Sequence, residues 1–168
     1  MSALLRVLCC LDGVNAEVLG QALARLWPLA GDRLRVGLLY VIDTRPLGEL
    51  ERRRERFLRP PHLPPIRQEQ LRQAERETAQ EILQEAARYV HGAELLQREG
   101  KAEQEIVRCA QEWEASLIML CARSPRNGHG PERGPASVGH VARFVLDHAG
   151  CPVLLLRGTL PSETPGAF

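Results

Sequence analysis

Near-continuous apolar runs mark this chain at Leu4 to Leu11, Leu34 to Ile42, Leu117 to Cys121 and Val153 to Leu156. Unbroken runs of this length suit strands covered on both faces, which means a parallel sheet with helices between its strands. The segments in between carry a helical period. Asn15 is placed to N-cap a helix with Val18, Leu19, Ala22, Leu23 and Leu26 on one face, ending near Pro28 and Gly31. From Gln68 to Val90, Leu71, Ala74, Thr78, Ile82, Ala86 and Tyr89 recur at steps of three and four. The opposite face is Arg, Gln and Glu, so a long half-exposed helix is expected. A third helix is predicted from Glu103 to Glu114, with Ile106, Val107, Ala110 and Trp113 inward. The last starts near Ser137, turns Val138, Val141, Ala142, Val145 and Leu146 inward, and stops at Gly150. A short strand at Glu94 to Gln97 completes the order β-α-β-α-β-α-β-α-β, an open doubly wound α/β sheet.

Composition narrows the class. With 168 residues, 44% hydrophobic and 26% charged, the chain is long enough for one domain with a real core. Its formal net charge of +1 supplies no global field for nucleic acid or a membrane. Five cysteines, an odd count that includes the adjacent pair Cys9 and Cys10, do not make a disulfide framework. Neighbours on a strand point to opposite faces. A reducing compartment is the simpler reading, and without a signal-peptide pattern or a run near the ~20 residues of a spanning helix the expectation is cytoplasmic. No linker divides the chain. Thr44 to Ile66 reads as an insertion rich in Pro and Arg, and Gly158 to Phe168 as a disordered tail.

Ligands of such sheets bind at the carboxyl ends of the strands, near the reversal of winding. The ends to inspect are Leu11-Asp12-Gly13, Tyr40 to Asp43, and Leu120 to Ser124. Val7 to Gly13 resembles the first strand and Asp-Gly turn of the universal stress protein family. Glu105 to Val107 with Ala115 to Leu120, and Gly139 to Val141 with Cys151 to Arg157, are similar to its third helix, fourth strand, final helix and final strand. The resemblance covers roughly residues 3 to 157. It implies strand order 3-2-1-4-5, as in adenine nucleotide alpha hydrolase-like folds, a homodimer through the last strand, and in many members ATP binding, with Mg²⁺ if bound.

Members that bind ATP carry Gly-x2-Gly-x9-Gly-[Ser/Thr] after the fourth strand, where backbone N–H groups and a helix N-terminus meet phosphate. Here Cys121 and Ser124 stand where the first two glycines belong, 14 residues separate Ser124 from Gly139, and His140 replaces the hydroxyl. Gly139 and Val141 match the pattern, and Arg123 is long enough to reach a phosphate oxygen. By the resemblance Asp12 meets ribose and Val41 the adenine. Gly128, Gly130 and Gly134 in the longer spacer offer another backbone cradle, although Asn127 to Pro135 has the composition of a surface loop. The implied function is a regulatory or sensing module without turnover. The alternative is a dimeric interaction protein of the same fold that has lost the nucleotide.

Other chemistry has thinner support. Cys121 to Ser124 spells Cys-x-x-Ser, a redox pair without its second cysteine. His129 and His140 fit no common zinc spacing. Gly-x-Ser-x-Gly is missing, and an adenylating or photolyase-like activity would need a Gly-rich loop after strand one, where only Gly13 stands. His62, His91 and His148 are read as surface residues. The cluster Arg52, Arg53, Arg54, Arg56 and Arg59 is interleaved with Glu49, Glu51 and Glu55 and suits a solvated face, or part of a lid over the sheet's carboxyl edge.

Overall fold

In the computed structural model, the described residues are 4–44, 65–122 and 138–157. Residues 45–64 of the insertion and the tail lie outside them, as do Arg123 and Ser124. Five parallel strands form one sheet in the order β3-β2-β1-β4-β5. They are β1 (Leu5–Leu11), β2 (Leu34–Asp43), β3 (Glu94–Gly100), β4 (Leu117–Cys121) and β5 (Val153–Leu156). Between them lie α1 (Ala16–Ala30), a 3₁₀ turn (Gly31–Arg33), α2 (Pro65–Ala87), α3 (Ala102–Glu112) and α4 (His140–His148). This is the expected doubly wound α/β architecture. The third strand is three residues longer than its sequence suggested, because β2 offers it a ladder from Gly37↔Glu94 to Asp43↔Gly100.

Side-chain alternation divides the core into two layers. Val7, Cys9 and Leu11 of β1 join Leu19, Leu23 and Leu83 under α1 and α2. Leu8 and Cys10 join Ile106, Cys109, Ala142 and Val145 under α3 and α4. Adjacent Cys9 and Cys10 thus face opposite layers, as expected, and all five cysteines are free thiols. Burial pushes the Cys9 thiol up to about 12. No helix among the described residues is long and apolar enough to cross a membrane.

Two helical expectations need correction. In α2 the buried positions are Ala79, Leu83 and Ala86, with Ile82 half-buried. Leu71, Ala74, Thr78 and Tyr89, expected inward, are exposed, and Leu71 retains 43% of its surface. Every described side chain of α2 from Ile66 to Thr78 is exposed, so the apolar stripe of its first half has no sheet beneath it. Helix α1 ends as expected near Pro28 and Gly31: it runs to Ala30, and the Gly31 N–H closes it on the Trp27 carbonyl. In α4, Leu146 points outward at 45% exposure, while Val145 and Ala142 carry the packing.

Gly37 shows how closely the α3 layer is fitted. A Cβ there would lie 3.1 Å from the Trp113 ring and 3.2 Å from Leu96. The indole is held in place by its Nε1–H, which donates to Glu94 Oε2 at 2.9 Å, and by the Arg6 guanidinium 4.5 Å from the ring centroid. A glycine inside a strand often marks such a close approach. Gly37→Val is expected to lower unfolding free energy by ~1–3 kcal/mol through overpacking, measured by urea titration. Gly150→Ala, where a Cβ meets nothing within 4 Å, serves as the control, and equal stability of the two variants would contradict this packing account.

Candidate functional site at the split between two strands

Beyond β1 the chain turns through Asp12, Gly13 and Val14 into α1. Gly13 has φ +92°, a conformation costly for a residue with a Cβ. The turn is fastened by side chains. Asp12 Oδ1 accepts the Val14 N–H at 2.9 Å. Asn15 Oδ1 accepts the Asp12 N–H at 3.0 Å, and Asn15 Nδ2 donates to the Cys10 carbonyl at 3.0 Å. Asn15 is the residue before α1, as expected, but it makes no side-chain capping bond to that helix. Its amide points back to the sheet and is 6% exposed, whereas the Asp12 side chain is open to solvent.

The β1–β2 register ends at Leu11↔Tyr40, so Asp12 lies level with Val41. From Val41 to Asp43, β2 is paired only with β3 in the described ladders. The Val41 side chain packs in the α3/α4 layer, and Tyr40 lies on the other face. Burial pushes the Tyr40 phenol up, with the Asp12 and Glu75 carboxylates adding to it. Tyr40 is therefore near Asp12, a neighbour that the sequence did not single out as a site residue.

Cys121 ends β4 half-buried in the α1/α2 layer. Burial pushes its thiol up, the side-chain hydrogen bond with Asn15 opposes that, and the Asp12 charge adds to it. A thiol held protonated is poorly suited to nucleophilic or redox chemistry. Among the described residues no group of three or more His, Cys, Asp or Glu side chains is arranged to hold a metal. His129 lies outside the described residues.

On the other side of the split, Gly139 precedes α4 with φ +92° and ψ 159°, a region essentially reserved for glycine. Its carbonyl accepts the Arg143 N–H at 3.1 Å. The helix starts at His140, not at Ser137, and its first turn has no acidic residue, which leaves the positive end of its dipole unopposed from within the helix. Val141 is half-buried in the α3/α4 layer together with Val41. The exposed His140 ring places Nε2 3.5 Å from Oε1 of Glu103, a buried carboxylate in the first turn of α3. That contact had no sequence signal, since the two residues are brought together only by the packing of α3 on α4.

Asp12, Val41, Cys121 and Gly139–Val141 thus belong to three strand ends and one helix start along the carboxyl edge of the sheet. Asn15, Tyr40 and Glu103 join them there.

Comparison with known proteins agrees with this architecture. A search of curated proteins finds no match. Among solved structures, universal stress protein UspA from Lactobacillus plantarum is 20% identical, with 94% of this chain and 100% of that one covered at a TM-score of 0.57. A universal stress protein family member from Burkholderia pseudomallei is 25% identical, with coverages of 93% and 98% and a TM-score of 0.55. A universal stress protein in complex with cAMP is 15% identical, with coverages of 93% and 98% and a TM-score of 0.52. The sequence model of the universal stress protein family matches residues 4–157, which takes in the five strands and four helices of the described residues. On that match, and with the strand order expected of the family, this chain belongs to the universal stress protein family.

Proposed function

We propose that this chain is a regulatory or sensing module that binds an adenine nucleotide, ATP with Mg²⁺ foremost, in the cytoplasm and without turning it over. One observation carries the reading: the Asp12 carboxylate, the unpaired flank of β2 at Val41 and the glycine-led start of α4 share the edge where the winding reverses. Asp12 would accept hydrogen bonds from ribose hydroxyls, since its carboxylate is exposed and only its Oδ1 is engaged within the turn. Val41 would meet the base. Backbone N–H groups at Gly139–Val141 would meet phosphate, aided by the helix dipole. That one solved relative is in complex with cAMP supports the choice of an adenine nucleotide.

A second reading is favoured by His140 and Cys121. The imidazole pairs with Glu103, and a carboxylate beside that helix start competes with an incoming phosphate. Cys121 brings a half-buried side chain to a position where the family pattern has glycine. On this reading the chain keeps the fold and dimer surface as an interaction protein without nucleotide.

Thermal unfolding separates the two. Millimolar ATP and Mg²⁺ are expected to raise Tm, by the equivalent of ~2.7 kcal/mol when ligand reaches a hundred times Kd. Asp12→Ala should weaken binding about tenfold or more through loss of a charge-assisted hydrogen bond. No Tm change with ATP, ADP or cAMP would sink the nucleotide reading in favour of the second.

For both readings we propose a homodimer through β5. Val153, Leu154 and Leu155 are each half-exposed, and among the described residues the strand is paired on one side only, with β4. An apolar edge of this kind needs a cover. Sedimentation at tens of micromolar is expected to give a dimer, and Leu154→Lys a monomer. A monomeric parent protein would refute the assignment.

A further inference from the structure

The β1–β4 ladder ends two residue pairs before its strands do. Its last described pairs are Val7↔Leu117, Leu8↔Ile118 and Cys9↔Met119, although β4 continues to Cys121. Ile118 and Ala122 send their N–H groups to Pro152 and Leu156, on the β5 side. By alternation the Cys121 backbone faces β1. In a parallel pair the second of the missing pairs, Leu11↔Cys121, would join the Cys121 N–H to the Cys10 carbonyl and the Asp12 N–H to the Cys121 carbonyl. Those two groups of β1, the Cys10 carbonyl and the Asp12 N–H, are the ones that the Asn15 carboxamide occupies, both at 3.0 Å. One donor and one acceptor are required at this spacing, so the demand of the strand fixes the orientation of the amide.

We propose that Asn15 is a substitute rung: its carboxamide takes the place of β4 at the end of β1, keeps the two strands apart, and sets the Asp12 turn for ribose hydroxyls. Asn15 is thus a positioning residue that acts through Asp12. An unsatisfied Cys10 carbonyl and Asp12 N–H, in a turn that is buried at Asn15, would otherwise draw the Cys121 backbone in and narrow the split. The same amide lies beside the Cys121 thiol and opposes the upward push of burial on it, so one side chain stands between both lips of the crevice. The role in binding rests on the nucleotide reading above, whereas the substitute rung does not.

Two measurements on Asn15→Ser keep those apart. Serine preserves a helix N-cap but is too short to span both partners. Asn15→Ala provides a second variant, and circular dichroism checks that each is folded. Backbone amide exchange followed by NMR is expected to show the Asp12 N–H losing protection in both variants. Unchanged protection of Asp12 in a folded variant would overturn the substitute rung, whatever the protein binds. Calorimetric titration then compares ATP with 2′,3′-dideoxy-ATP, which lacks the ribose hydroxyls. Asn15→Ser should bind ATP about tenfold more weakly than the parent protein, the scale of one charge-assisted hydrogen bond, and dideoxy-ATP equally well. Equal weakening of both ligands, or of neither, would overturn positioning through Asp12. If the parent protein binds neither ligand, the nucleotide reading and the positioning role fail together, and the Asp12 amide alone decides the rung.

Discussion

The structure depends on the double pairing of β1. Val7, Leu8 and Cys9 are fully buried and hydrogen-bonded through β1 to β2 on one flank and to β4 on the other. The chain leaves β1 for α1 on one face, while the layer of α3 and α4 covers the other. Two strands whose connections diverge to opposite faces separate at their carboxyl ends, and a crevice results. The rest of the candidate site follows from that split. Asp12 is exposed because β1 has run out of sheet, Val41 has an open flank because β1 stops before it, and Cys121 faces a strand that is already paired with Asn15.

What lines the crevice differs from the pattern that the family resemblance implies. Gly139 remains, in a backbone conformation that needs glycine, and the start of α4 keeps its positive end. Cys121 has become part of the α1/α2 core, and its thiol is pushed up by burial. His140 is engaged with a buried carboxylate of α3. A phosphate at this helix would meet an imidazole and a carboxylate together. The same edge therefore holds the strongest argument for a nucleotide and the strongest argument against an ordinary one.

Much of the fold was legible because it depends on local pattern. Buried strands read as near-continuous apolar runs, and the opposite directions of Cys9 and Cys10 follow from the period of a strand. What was missed depends on where the sheet ends. The stripe from Leu71 to Thr78 has a helical period yet stays exposed, since periodicity reports amphipathicity and not the presence of a surface to cover it. Asn15 was legible as the residue before a helix, but its amide serves the strand behind it, because β4 leaves two backbone groups of β1 to be satisfied. Trp113 against Gly37, and His140 against Glu103, join residues far apart in sequence and had no local signature. The expectations for Arg123, Ser124 and the lid fall on residues outside those described.

We propose that an adenine nucleotide binds in the split between β1 and β4. Titrating ¹⁵N-labelled protein with ATP and Mg²⁺, and mapping which backbone amides shift, tests it most directly. Shifts are expected to concentrate at residues 12–15, 41–43, 121–122 and 139–141, on both lips of the crevice. Saturating nucleotide that leaves these amides unmoved, or moves only residues at the opposite edge of the sheet such as Leu29 and Gly31, would contradict it.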